Sequence, residues 1–202
     1  MKLLQINASP RRDSVSRQLT ASFVQHWKRR NPAGEVIHRD LGAAPNPLLS
    51  EAWIQGQFAD PAKRNDAQRE ALDVSDRLID ELAAASIIVI GDPMHNFGIS
   101  APLKIWIDQI VRQGRTFQYG TAGPKGLMTG KKVFVLTSRG GSYAAGTPYA
   151  PFDFQEPHLR TILGLIGLTD ITFIHADNQA RPDLAEISRV NALKQIAEVA
   201  AL

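Results

Sequence analysis

The sequence predicts a doubly wound α/β fold, a five-stranded parallel sheet covered by helices on both faces, and three observations lead there. Ser86-Ile87-Ile88-Val89-Ile90-Gly91 is a continuous β-branched apolar run, as a central parallel strand buried on both faces requires. Short apolar runs alternate with segments of helical period along the chain. Turns that follow the runs are rich in Asn, Ser, Pro and Gly, which end regular structure and leave backbone free to meet a ligand.

Lys2 to Ile6 is the first strand, ended by Asn7-Ala8-Ser9-Pro10. A helix follows, with Leu19, Phe23 and Trp27 on one face and Asn31-Pro32 as its stop. Glu35 to Leu41 fits a second, more exposed strand. The proline-rich stretch Ala43 to Leu49 is irregular, and Glu51 to Phe58 and Asp66 to Ala84 are helices, the latter carrying Leu72, Leu78, Ile79 and Leu82. Ser86 to Gly91 is the third strand. After the turn Asp92 to Gly98, Ser100 caps a helix with Pro102 in its first turn and Leu103, Trp106, Ile107, Ile110 and Val111 as its buried stripe. Lys132 to Thr137 is a fourth strand, Glu156 to Ile166 a helix, Asp170 to Ala176 a fifth strand and Pro182 to Ala201 a closing helix. Right-handed crossovers then give the flavodoxin-like order 2-1-3-4-5, with residues 1–202 as one domain.

Composition narrows the chemistry. The chain of 202 residues contains no cysteine, which excludes disulfides, thiolate metal sites and thiol redox chemistry, so any redox function must come from a bound cofactor. The five histidines lack a paired ligand spacing, and no metal is expected. Basic residues fall in short groups without a stripe, which argues against nucleic acid, although the net charge of +3 favours anionic ligands. No apolar run approaches the roughly 20 residues of a membrane span, and the N-terminus lacks a signal-peptide core; a soluble, cytoplasmic protein is expected.

In an open α/β sheet ligands bind beyond the C-terminal ends of the strands, which singles out three turns. In Asn7 to Ser16, the hydroxyls of Ser9, Ser14 and Ser16 join the positive end of a helix, a setting for a phosphate monoester; ordinary capping explains Ser14 and Ser16 equally well. Neither GxGxxG nor GxxxxGK[ST] is present. Pro93-Met94-His95-Asn96-Phe97-Gly98 offers a thioether, aromatics and an amide to a flat heteroaromatic ring, although Asn96 alone reads as a turn former and Phe97 alone as core. In Ser138-Arg139-Gly140-Gly141 the glycines let bare N–H groups approach a ligand and stabilise negative charge, although a Gly-Gly pair also suits a plain turn.

Taken together, NASPRRxSxS, PMHNFGIS and TSRGG, in that order, resemble the FMN-dependent NADH:quinone oxidoreductases known as azoreductases, and LKIWIDQIVRQGRTFQY, GLMTGKK and LGLIGLTDITF extend the similarity over essentially the whole chain. The resemblance implies a homodimer holding one tightly bound FMN per subunit at the interface, and ping-pong hydride transfer from NADH or NADPH to quinones or azo compounds. It places the FMN phosphate on Ser9 and Ser14-Val15-Ser16, the flavin against Pro93, Met94, His95, Asn96 and Phe97, and its pyrimidine edge beside Ser138, Arg139, Gly140 and Gly141. No side-chain acid or base is needed to reduce the flavin; protons for the acceptor come from solvent, His95 or Tyr119. Tyr119 matches an aromatic lining the neighbouring subunit's acceptor pocket, which Asn96, Phe97 and Leu165 also border; a tyrosine in the core of a hairpin is the competing reading.

Three positions depart from the family pattern. His95 stands where tyrosine is usual. Asp92 replaces a small uncharged residue, where a carboxylate either disfavours an anionic reduced flavin or is a solvent-facing loop acid. Leu165 stands where some relatives have phenylalanine, so acceptor preference does not transfer. The alternatives are a flavodoxin-type electron carrier, whose surface is usually strongly acidic, and a general NAD(P)H:FMN reductase.

Overall fold

The computed structural model describes residues 1–200. Its elements in chain order are β1 (Lys2–Asn7), α1 (Val15–Arg30), β2 (Glu35–Asp40), α2 (Glu51–Phe58), α3 (Asp66–Ala84), β3 (Ile87–Pro93), α4 (Ala101–Ile110), β4 (Phe117–Gly120), β5 (Gly123–Gly126), β6 (Lys132–Ser138), α5 (Glu156–Leu165), β7 (Asp170–Ala176) and α6 (Pro182–Val199). The expected end of the last helix, Ala201, lies outside the described residues.

The main sheet has five parallel strands in the order β2-β1-β3-β6-β7. The expected order 2-1-3-4-5 is corrected in one respect, because an antiparallel hairpin of β4 and β5 intervenes in the chain and forms a sheet of its own. Its strands, FQYG and GPKG, are only four residues each and contain no β-branched residue, and only Phe117 and Tyr119 mark a period of two, too short a signal for periodicity to pick out.

The sheet's period of two sorts its apolar residues onto two faces. Leu4, Ile6, Ile88, Ile90, Val133 and Val135 pack against α3, α4 and α5 through Leu78, Ile79, Trp106, Ile110 and Leu159. Leu3, Val89, Phe134 and Leu136 pack against α1 and α6 through Leu19, Phe23, Trp27 and Ile196. β3 contributes to both cores, so its C-terminal end is held from two sides.

Close backbone approach brings the first turn over that end. A Cβ at Gly91 would lie 2.9 Å from the Ser16 carbonyl oxygen and 2.6 Å from Thr20 Cγ2, so only glycine lets the start of α1 settle on β3. Ala8 N–H continues the contact by donating to the Gly91 carbonyl at 2.9 Å.

Candidate active site

The loops at the C-terminal rim of the sheet enclose a cavity of about 320 Å³. Ser9, Ser14 and Val15 come from the first turn, Pro93, Met94 and His95 from the second, and Ser138, Arg139 and Gly140 from the third. Ser16 lies behind this wall, buried, with its hydroxyl 3.4 Å from that of Ser14. Gln179 and Ala180, from the loop after β7, complete the lining and escaped the sequence reading. That loop has no glycine and no motif, yet the strand-end rule that singles out the other three turns applies to it equally.

Backbone N–H groups on opposite sides of the cavity are free to bind a ligand. Val15 and Ser16 occupy the first turn of α1, where helical N–H groups have no internal partner, and among the described residues neither meets an acceptor. Ser14 does cap α1, accepting from Arg17 N–H at a long 3.4 Å, so the capping and ligand roles share one hydroxyl. Across the cavity the carbonyls of Arg139, Gly140 and Gly141 accept from the N–H groups of Gln179, Ala180 and Asn178, at 2.9, 3.1 and 3.1 Å. This ladder fixes the third turn, while the N–H groups of Gly140 and Gly141 have no acceptor among the described residues.

Charged groups set the frame. Arg17 reaches back from α1 to the Ser9 carbonyl at 3.0 and 2.6 Å and forks onto both oxygens of Asp40 at 2.6 and 2.5 Å, pinning the first turn to the end of β2. The Arg17 guanidinium holds the Asp40 carboxyl below its ordinary range. Because that pKa is lowered in the fold, the stabilisation is present above the ordinary carboxylate value of about 4 and is lost as pH falls through the lowered one. Asp40→Asn is therefore expected to be less stable than the parent at neutral pH, with the two converging in acid below about pH 4, as read by urea unfolding.

Arg139 borders the cavity, but its guanidinium is 2% exposed and bonds Asp177 at 2.6 Å and Asp153 at 2.9 Å. Its charge is thus committed to joining the loops after β6 and β7 to the segment before α5. Arg11, at the mouth, pairs with Asp13 in solvent.

His95-Asn96-Phe97-Gly98 forms a tight turn closed by two reciprocal bonds of 3.0 Å between His95 and Gly98. Asn96 and Phe97 both adopt left-handed backbone, with φ of 48° and 68°. Asparagine tolerates this, whereas for a bulky aromatic it is strained, and such strain concentrates at ligand sites. The turn aims Phe97 outward, 43% exposed, against Phe152 and Tyr143 at ring separations of 5.4 and 6.2 Å. Core burial of Phe97 is therefore corrected. His95 borders the first cavity and also a more open neighbour of about 740 Å³, lined by Asn96, Ile99, Lys104, Phe154 and His158 among others.

The remaining expected residues are placed elsewhere. Gly141 lines a further cavity of about 480 Å³ with Tyr143 and Tyr149, which shares Gly140 and Ala180 with the first. Tyr119 is on the hairpin and 67% exposed, which corrects the hairpin-core reading, and Leu165 is half-buried at the end of α5. Neither lines these three cavities of its own chain.

Asp92 is not a solvent-facing acid: it is fully buried and accepts from the Ser100 hydroxyl at 2.5 Å and Gln155 Nε2 at 2.9 Å. Ser100 stands at the start of α4 as expected but makes no capping bond, because its hydroxyl is turned to Asp92.

Residues 1–200 match the Flavodoxin_2 family, described as a flavodoxin-like fold. The chain is 47% identical over 202 residues to the FMN-dependent NADH:quinone oxidoreductase of Nostoc sp., covering 98% of both chains. The chain belongs to this flavodoxin-like family of FMN-dependent NADH:quinone oxidoreductases. An enzyme of the same description from Trichormus variabilis is 48% identical, again with 98% of each covered. Among solved structures, an azoreductase from Bacillus anthracis superposes with a TM-score of 0.91 at 29% identity, over 100% of this chain and 99% of that one. Among the described residues no helix is long and apolar enough to cross a membrane.

Proposed function

We propose that this family member is an FMN-dependent NADH:quinone oxidoreductase that also reduces azo compounds, with the cavity at the strand ends as its flavin site. The observation that carries the reading is the pairing, around one cavity, of a hydroxyl-lined helix N-terminus with the fixed backbone of the third turn, Ser138 to Gly140. The donor set fits FMN. Ser9, Ser14 and the N–H groups of Val15 and Ser16 hold the phosphate where the positive end of α1 favours a dianion. Pro93, Met94 and His95 form the wall for the ring, Asn96 and Phe97 continue that turn beyond the cavity, and Ser138 to Gly140 flank the pyrimidine edge, with the peptides of Arg139, Gly140 and Gly141 and the Arg139 charge as its frame.

Bound FMN supplies a hydride acceptor and donor. The protein's part is positioning: the unpartnered N–H group of Gly140, on a backbone already fixed by the ladder to Gln179 and Ala180, would hold the flavin and stabilise negative charge on it without reorganising. His95 and Asn96 border the open cavity in which NADH and the acceptor are held by turns, with Phe154 and Ile99 as apolar lining. Protons for the acceptor come from solvent, His95 or Tyr119. NADPH is the alternative donor.

The exposed Tyr119, outside its own chain's cavities, supports a homodimer in which it and Leu165 border the partner's acceptor pocket. The exposed apolar side chains Leu48, Ile54 and Phe58 support such an interface too. We also read residues 1–202 as one domain working in the cytoplasm.

If donor and acceptor use one slot in turn, initial-rate plots with varied NADH and quinone are expected to give parallel lines. Intersecting lines contradict the shared slot.

A further inference from the structure

The end of β3 carries a buried carboxyl group for which the reaction above has no use. Asp92 is fully buried, and its oxygens accept from the Ser100 hydroxyl at 2.5 Å, from Ser100 N–H at 3.3 and 3.4 Å, and from Gln155 Nε2 at 2.9 Å. Ser100 is the residue before α4, and Gln155 the residue before α5. Pro93 and Met94, which follow Asp92 directly, line the cavity assigned to FMN. One side chain therefore ties the start of the flavin-facing turn to the two helices whose N-termini wall the open cavity.

All its donors are neutral. The charged and titratable groups on the elements around it are engaged elsewhere or make no bond to it: Lys104 of α4 pairs with Asp108, Arg139 with Asp153 and Asp177, and His175 of β7 with Glu156 of α5. His95 and His158 border the open cavity without a hydrogen bond to Asp92. An ionised Asp92 is thus an uncompensated charge in a low-dielectric wall, where its field reaches much further than in water.

We propose that Asp92 is a positioning residue that holds the flavin-facing turn against α4 and α5 and, through its charge, lowers the reduction potential of bound FMN. The inference rests on the FMN reading above. Reduced flavin carries negative charge on the ring, so an ionised Asp92 disfavours it relative to oxidised flavin. Burial raises Asp92 to about 6, so the effect is present at pH 8 and relieved at pH 5. Asp92→Asn removes the charge and keeps the geometry: its amide can donate to Gln155 Oε1, a buried oxygen without a partner, once the Gln155 amide turns over.

The test is the midpoint potential of the FMN-loaded protein, by anaerobic dye titration, for parent and Asp92→Asn at pH 5 and pH 8. At pH 8 the variant is expected to favour reduced over oxidised FMN by about tenfold more than the parent, about 30 mV for a two-electron couple. At pH 5 the two should coincide. Equal potentials at pH 8, or a difference unchanged at pH 5, would overturn the proposal, since a merely structural role for Asp92 has no such pH signature. Should the variant not fold, infrared difference spectra of the parent at pH 6 decide. Reduction should then protonate Asp92 and bring up a carboxylic-acid carbonyl band, by the reciprocity of linked equilibria; its absence would overturn the proposal. Failure of the parent to take up FMN would instead overturn the underlying assignment, and this inference with it.

Discussion

Gly42→Ala is expected to weaken FMN binding by about 10- to 100-fold while leaving the helical content intact. Gly42 follows β2 and touches nothing in the cavity, but an added Cβ would lie 1.9 Å from the Ser9 carbonyl oxygen, 2.4 Å from its carbonyl carbon and 2.8 Å from Pro10 N. Those are backbone atoms, and Arg17 holds the same Ser9 carbonyl from the other side, so the clash cannot be absorbed by a rotamer. The first turn must move. Overpacking of this kind costs about 1–3 kcal/mol, and the phosphate wall is what gives way, which sets the range. Quenching of FMN fluorescence on titration reads the affinity, with far-UV circular dichroism as the control. Unchanged affinity would mean that Ser9 and its neighbours do not hold the phosphate.

Arg139→Met is expected to have the largest effect on stability. Its guanidinium lies between Asp153 and Asp177, whose side chains are only 13% and 16% exposed, and methionine would fill the space but leave two carboxylates without a cation. Breaking a buried pair from one side costs about 3–5 kcal/mol. For a chain of this size that is a fall in Tm of roughly 6–20 °C. A loss of 1 °C or less at pH 8, by differential scanning calorimetry, would show that Arg139 does not clamp these loops. The Arg139 charge holds the third turn, the loop after β7 and the segment before α5 together.

Much of the fold is legible in the sequence because its signals are local. The run Ser86 to Gly91 reads as a buried strand and β3 forms there, although it extends over Ile87–Pro93 and takes in Asp92 and Pro93, which the sequence assigns to the turn; α2, α3 and β7 coincide with the segments marked by apolar period and stop residues. What escapes is set by distance in the chain. The hairpin Phe117–Gly126 is hinted at only through Tyr119, and its place is fixed by a remote packing contact: a Cβ at Gly126 would lie 2.1 Å from Gly167 N, in the turn after α5. Asp92 reads as a loop acid because nothing nearby in sequence warns that its partners are Ser100, 8 residues on, and Gln155, 63 residues on.

The candidate site divides in the same way. Ser9, Ser14, Met94 and Gly140 are legible because the strand-end rule selects their turns before any contact is known. The same rule reaches the loop of Gln179 and Ala180, but no residue type there draws attention to it, since their contribution is a backbone ladder to Arg139 and Gly140. The left-handed turn at Asn96 and Phe97 is half visible: asparagine hints at it, and phenylalanine argues against it.

One measurement goes directly to the central claim that the rim of this sheet holds a flavin which NADH reduces. Purified protein is equilibrated with FMN, freed of excess by gel filtration, and its visible spectrum followed anaerobically as NADH and then a quinone are added. Protein-bound yellow colour that NADH bleaches and the quinone restores is the predicted result. Protein that emerges without flavin, or flavin that stays oxidised in the presence of NADH, would contradict the account.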